Sequence, residues 1–451
     1  MLKISEISNI MPGSIRKTND IKKDTFANYN ATNPQNYSKY TSENLKAYIP
    51  SFSATKNKKN NNIPSKHEQI KNVKSKLEKE SLAVFNKLQK SGILDNNESN
   101  DGSSVLDNLY KIAAEARFPG LSSSQIIKDV LKAIDNPFTI TQKFGDIPEE
   151  VASEYKEKTG KLLPRSVINV NSSCCVVASI EFNLAQKKPA EFARFAQGLS
   201  SNNYQVEKNV KMSNLANGSI TGALWELRTF NTDSKINTNW EDITINIKPD
   251  RNAIVRARVQ SSYKDPGERS VVDVLIQSAL LNLGSQHTYN TLTDERTGKL
   301  NPDKTGLTSQ EKNFVEEIVF EIPKISVEYQ QINEDGYLIG YNGKLEETKQ
   351  HILKSLAMGE NVIIGYTHMD TNKKIDGGHE ITIIGYEQDK AGNGYFICND
   401  TDDNLDKAVK IDEETLLPLI HHAGIPKEAL SENDYFDEAP WRKLLKDLKA
   451  A

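Results

Sequence analysis

The sequence is poor in cysteine, carrying only Cys174, Cys175 and Cys398 among 451 residues. Two of the three are adjacent, so no disulfide framework can be built, and no Cys-x-x-Cys pair finds the second pair that a structural zinc site needs. A reducing compartment fits this usage. Long apolar runs are also missing: segments such as 361–366 fall far short of the roughly 20 residues that span a bilayer, and mean hydropathy is −0.59. Neither sign of charge prevails, with 57 Lys and Arg against 61 Asp and Glu and a net charge of −4. A global field that would steer nucleic acid or an anionic membrane is therefore not expected. The opening MLKISEISNIMPGSIRK has charges where a signal peptide is apolar. The expected location is the cytoplasm, or outside the cell by a route without a standard signal peptide. No internal repeat and no sustained heptad pattern is present.

What is present divides along the chain. Residues 1–65 are rich in Asn, Lys, Ser and Thr, including the run Lys56-Asn-Lys-Lys-Asn-Asn-Asn62. Such a composition buries too little apolar surface to offset chain entropy, so a disordered tail is expected. Residues 66–136 read as a helical region. Ile70, Val73, Leu77, Val84 and Leu88 recur at helical spacing over 67–90, with Gly92 as the stop. Shorter helices follow over 105–116 and 126–134, each after a Ser cluster that can cap it. Beyond 160, β-branched runs alternate with helical patterns. Helices are expected from Cys174 to about Ala196, over Val271 to Leu283, and over 309–318 behind the capping box Thr308-Ser-Gln-Glu311. Strands are expected at 361–366, 379–386 and 394–399. The mixture with late hairpins indicates an α+β fold. A tail from 413 to 451, with Leu416, Leu417, Leu419 and Ile420 and then Trp441 and Leu444, reads as helical.

Three segments carry residues suited to chemistry. In Asn169-Val-Asn-Ser-Ser-Cys-Cys175 the polar turn-formers give way to an apolar helical pattern at the two cysteines. A thiol in the first turn of a helix meets unsatisfied N–H groups and the positive end of the macrodipole, which favour thiolate. The bland reading is two small buried hydrophobes. In Asp376-Gly-Gly-His379 a Gly pair delivers His379 to the start of an alternating strand, on the face of Ile381 and Ile383. Imidazole placed there suits a general base; the alternative is a structural hydrogen bond at a strand edge. Glu380 does not begin an HExxH zinc signature. The strand from Gly394 ends in Asn399, Asp400 and Asp402, and either Asn399 or Asp400 could accept from an imidazole and fix its tautomer. Asp400, Asp402 and Asn404 have part of a calcium-loop spacing, but Leu405 and Ile411 stand where the turn Gly and bidentate Glu belong. A solvated Asp-rich turn is the plainer reading of that segment.

In order and content these segments resemble the papain-like cysteine peptidases, in particular the bacterial branch related to the double-glycine, bacteriocin-processing peptidases. In that superfamily a Cys opens a long helix, and much later a Gly-rich turn gives a His, an apolar strand ending in Gly-Tyr, and a strand of the form Tyr-x-x-x-Asn-Asp. The matching residues are Cys174-Cys175, Gly377-Gly378-His379 through Gly385-Tyr386, and Tyr395 through Asp400. The resemblance covers about 160–410, with an insertion at about 230–345, inside a domain expected over 137–412. It implies a Cys-bearing helix packed on an antiparallel sheet that carries the His and the Asp. It also implies Cys175 as nucleophile with Cys174 as the alternative, because Ala178 and Ser179 fit the small positions that follow the nucleophile. Counting from Tyr395 aligns Asp400 as orienter, with Asn399 as the fallback. Asn169 stands where members often have an oxyanion-hole Gln.

The expected activity is thiol-dependent hydrolysis of peptide or isopeptide bonds by Cys175, His379, Asp400 and Asn169. No cofactor or metal is called for, and the partner is a peptide or protein substrate rather than nucleic acid or membrane. The alternative is a catalytically inactive papain-fold module that binds peptide, favoured by the missing Gln and the doubled Cys. A metal site of His368, His379 and the Cys pair is disfavoured by the poor ligand spacing of adjacent thiolates.

Overall fold

A computed structural model describes residues 64–143, 153, 157, 172–216, 235–236, 242–262, 268–285, 287–291, 294–296, 306–402 and 406–431. The tail expected to be disordered, Asn169 and Trp441 with its neighbours lie outside these residues. Among the described residues the fold is α+β, and no helix is long and apolar enough to cross a membrane.

The helices are α1 (Lys66–Lys74), α2 (Lys79–Ser91), α3 (Val105–Ala114), α4 (Ser123–Asp135), α5 (Cys175–Lys187), α6 (Pro189–Leu199), α7 (Ala253–Ser262), α8 (Val271–Gly284), α9 (Ser309–Phe320), α10 (Leu345–Ala357) and the single turn α11 (Glu413–Leu416). Two expected helices are each divided. Over 67–90 the break falls at Ser75, whose hydroxyl donates to the Asn72 carbonyl at 2.6 Å and so competes with the helical ladder. The helix expected from Cys174 to Ala196 breaks before Pro189. Pro lacks the N–H the ladder needs and pushes Lys188 out of the helical region, to φ −131 and ψ 63. Starts and stops elsewhere follow the sequence signals. Gly92 ends α2 at φ +82, and Thr308 with Glu311 closes a capping box on α9.

The strands are β1 (Val206–Lys211), β2 (Lys235–Ile236), β3 (Asp242–Ile247), β4 (Tyr289–Asn290), β5 (Glu295–Arg296), β6 (Lys324–Glu328), β7 (Gln330–Ile332), β8 (Leu338–Tyr341), β9 (Val362–Met369), β10 (Ile375–Gln388), β11 (Gly394–Asn399), β12 (Val409–Asp412) and β13 (Ile420–Pro426). Six of them form one antiparallel sheet in the order β12-β11-β10-β9-β13-β6. Strands β9 to β12 are a meander, and β13 returns to pair with the far side of β9. The helical tail expected from 413 is therefore corrected. Pro418 allows only one turn of α11 and a short 3-10 turn, after which Ile420, Ala423 and Ile425 are buried in the middle of the sheet. The segment expected as an insertion contributes to the same framework, since β6 lies within it and is an edge of this sheet.

The boundary expected near 136 separates no two cores. Ile112 of α3, Ile126 and Val130 of α4, Val177 and Ile180 of α5, Phe192 and Phe195 of α6 and Leu275 of α8 belong to one apolar cluster, which also takes in Ile363 of β9. Helix α5 packs on β10 as well as on α8.

Helix α9 meets the sheet through charge rather than hydrocarbon. Lys312 Nζ lies 3.1 Å from Glu380 Oε2 and bonds the Ile363 carbonyl, and Lys324 Nζ lies 2.6 Å from Glu316 Oε1, with all four side chains buried. Glycine at 365 makes room for this layer, since a Cβ there would stand 2.3 Å from the His422 ring and 2.6 Å from Glu380 Oε1. Burial opposes ionisation of Glu380, but the charges of Lys312 and His422 outweigh it and bring the carboxyl down to about 2. A depressed carboxyl stabilises the fold above the ordinary glutamate value of about 4.3 and loses that contribution as pH falls towards 2. We predict that Lys312→Met costs about 3–5 kcal/mol in urea unfolding at neutral pH, by leaving Glu380 without its main partner. The deficit should shrink as the pH falls through that window; a deficit independent of pH would show that the Lys312–Glu380 pair does not contribute.

Candidate active site

Cys175 is the first residue of α5 and Cys174 its N-cap. The two thiols part company there because successive helical residues project about 100° apart. Cys174 is fully buried, its Sγ 3.5 Å from the Tyr289 hydroxyl and 3.5 Å from Arg269 Nη1. Burial pushes its thiol up to about 11, against the pull of the Arg269 charge. Cys175 is half-buried, and its thiol makes a side-chain hydrogen bond with His379.

His379 lies on β10 opposite Tyr366 of β9, whose ring meets it edge-on with centroids 5.8 Å apart and an interplanar angle of 87°. The imidazole Nε2 is 2.8 Å from Asp400 Oδ1. With that nitrogen taken, Nδ1 is the one left for Cys175. The register explains the pairing: β10 and β11 run antiparallel with Thr382 opposite Asn399, so the next residue along, Asp400, falls on the face of His379. Asn399 points to the other face, where its Nδ2 is buried without a partner. Of the two amide and carboxylate candidates, only Asp400 reaches the imidazole.

The electrostatics follow from this geometry. Burial disfavours imidazolium, but the Asp400 carboxylate, its hydrogen bond and the Cys175 contact outweigh it and hold His379 well above the ordinary histidine value. Burial likewise opposes the Asp400 carboxylate, and the His379 charge and hydrogen bond bring Asp400 below its usual range. Each group sustains the ionised form of the other.

The turn after β11 is not a solvated one. Asp402 is buried, and its N–H donates to Asp400 Oδ1 at 2.9 Å. Asp400 Oδ1 therefore serves both the imidazole and this turn. Residues 403–405, including Asn404, lie outside the described residues. Thr401 is braced by residues 141 and 142: the Gln142 N–H and the Thr141 hydroxyl both donate to the Thr401 carbonyl, at 3.0 and 2.8 Å. Ser172 in turn donates to the Gln142 carbonyl at 2.6 Å. Residues 141–143 thus tie the loop before the cysteines to the loop that bears Asp400. Tyr366, Gln142, Tyr289 and Arg269 were not singled out from the sequence: Gln142 lies 259 residues from Thr401, Tyr289 and Arg269 lie 115 and 95 from Cys174, and Tyr366 meets His379 only through strand pairing.

Among the described residues, no group of three His, Cys, Asp or Glu side chains is placed to hold a metal. His368 instead packs edge-on against Tyr366 at 5.2 Å. What the arrangement can do is hold a half-exposed sulfur at a helix N-terminus against an imidazole whose far nitrogen is fixed by a carboxylate. Neither a family model nor a curated protein matches the chain.

We predict that iodoacetamide modifies Cys175 alone in the native protein, while Cys174 and Cys398, both fully buried, react only in denaturant. Peptide mapping reads this directly, and native labelling at Cys174 would contradict the placement of the two thiols.

Proposed function

We propose that the chain is a thiol hydrolase of the papain-like superfamily, a cysteine peptidase or related amidase acting on a peptide or protein substrate. The observation that carries this reading is the sequence of contacts Cys175 thiol, His379 imidazole, Asp400 carboxylate at the N-terminus of a buried helix. Its support is chemical. The Cys175 thiol gives its proton to His379 Nδ1 and its sulfur attacks the scissile carbonyl carbon. The tetrahedral oxyanion is met by the Cys175 N–H, one of the donors a helix leaves unsatisfied at its start, and Asn169 is assigned as its side-chain donor. His379 passes its Nδ1 proton to the leaving amine, giving a thioester and a free amine. It then takes a proton from water, which attacks the thioester and returns the thiol. Asp400 keeps Nε2 as the protonated nitrogen throughout.

The packing of α5 against β10 of the antiparallel sheet also supports this reading. A peptide-binding module without chemistry is the competing reading, and it differs in one measurable respect.

We predict that incubation with a denatured, peptide-rich proteome releases new termini, seen by mass spectrometry, and that Cys175→Ala and His379→Ala abolish the release. Asp400→Asn should retain part of it, since the amide oxygen still accepts from Nε2. Its sign in pH is fixed. A raised imidazole pKa keeps the imidazolium, and with it the activity, up to higher pH, so removing the Asp400 charge should move the alkaline limb of the rate profile down. A wild-type protein that releases nothing, and whose Cys175 alkylates no faster than an exposed cysteine, would establish the binding module instead.

A further inference from the structure

The cysteines are preceded by Ser173, and Ser173 is gripped from a distant part of the chain. Asp294, which directly precedes β5, accepts the Ser173 N–H on Oδ2 at 2.7 Å and the Ser173 hydroxyl on Oδ1 at 3.0 Å. The Tyr289 hydroxyl donates to the same Oδ1 at 2.8 Å, and the Cys174 thiol packs against that hydroxyl. Three donors on one carboxylate match its ionised form, which accepts only. Asp294 adopts this pose at φ +51, in the left-handed region, which Asp tolerates better than most residues.

The short β4–β5 pair is itself fixed at its other end. The buried Arg296 forms a two-pronged ion pair with Glu311 at 2.5 and 2.6 Å and donates to the Gly306 carbonyl at 3.2 Å. Glu311 is the residue that closes the capping box of α9. One end of the pair therefore rests on the start of α9, and the other holds the backbone two residues before Cys175.

Resting on the thiol-hydrolase reading, we propose that Asp294 is a positioning residue: it fixes the Ser173 backbone so that α5 begins where the Cys175 thiol meets His379 and the Cys175 N–H points at the substrate oxygen. The segment expected as a mere insertion supplies part of the active-site scaffold. Errors of about 1 Å in the placement of a reacting group cost on the order of a hundredfold in rate, so a grip on the entering backbone matters even though Asp294 touches no substrate.

The carboxylate of Asp294 bonds Ser173 and Tyr289 and acts on the thiol of Cys174, so a change in the reactivity of Cys175 reports position. Loss of position predicts slower alkylation, because the imidazole partner is no longer in register. The experiment measures iodoacetamide alkylation of Cys175 against pH in the full chain, as the ratio of variant to wild type. We expect Asp294→Asn to slow it by about tenfold near neutral pH, a misplacement of well under 1 Å. Tyr289→Phe and Ser173→Ala, which each remove one donor and leave the carboxylate, should slow it by smaller amounts. Protection of Cys174 and Cys398 in the same samples reports folding; if Asp294→Asn exposes them, the two milder variants decide. Equal or faster alkylation in the variants overturns the proposal. Because the ratio requires no turnover, its outcome is separate from that of the hydrolase reading, which is decided by the release of peptides from the proteome.

Discussion

An imidazole and a carboxylate withdrawn from water stay ionised only when each is the other's solvent, and a 2.8 Å contact between His379 and Asp400 meets that condition. The requirement falls on the backbone. His379 sits inside β10, which begins at Ile375 and not at the His as its sequence suggests, and Asp400 directly follows β11; a slip of one position would turn either side chain to the opposite face. The pairing of Thr382 with Asn399 excludes such a slip, and the bonds from Thr141 and Gln142 to Thr401 hold the turn beyond it. The thiol then needs only to be brought to the second nitrogen, which is the work of the α5 N-terminus.

The same strand serves two environments. His379 projects towards Asp400, while Glu380 projects into the layer under α9, paired with Lys312 and His422. Burying charge between a helix and a sheet sacrifices hydrophobic stabilisation, and the usual return is specificity of registry. Here the ion pairs tie α9 to β10 and to β6, and α9 carries Glu311, which anchors Arg296. Residues flanking His379 on β10 are thereby connected through charged contacts to the loop that precedes the cysteines.

Much of this was legible in the sequence wherever the signal was local. The capping box at Thr308, the stop at Gly92 and the apolar strands around 362, 381 and 396 lie within a few residues or follow a fixed period, whereas the order of Cys175, His379 and Asp400, spread over most of the described sheet and its helices, was legible only through a resemblance. The period of two even separates Asp400 from Asn399. Other features were illegible for a physical reason. Leu416, Leu417, Leu419 and Ile420 look like a helical stripe because four apolar residues in five suit either structure, and Pro418 decides the matter only in the presence of the empty place beside β9. The grip of Asp294 on Ser173 spans 121 residues and that of Thr141 on Thr401 spans 260, and contacts at such distance leave no periodic trace.

The position of β13 has a consequence for how the molecule comes into being. The meander from β9 to β12 can zip up as it is synthesised, so His379 and Asp400 can meet early. β6, made well before, has no neighbour in the sheet until β13 emerges almost a hundred residues later and slides in between it and β9. Until then α9 has an incomplete floor, Lys324 and Glu316 wait without their final surroundings, and an open edge of β9 is free to pair wrongly. A nascent chain halted before residue 420 would thus carry the His379–Asp400 pair and the Cys175 thiol without the finished sheet around them.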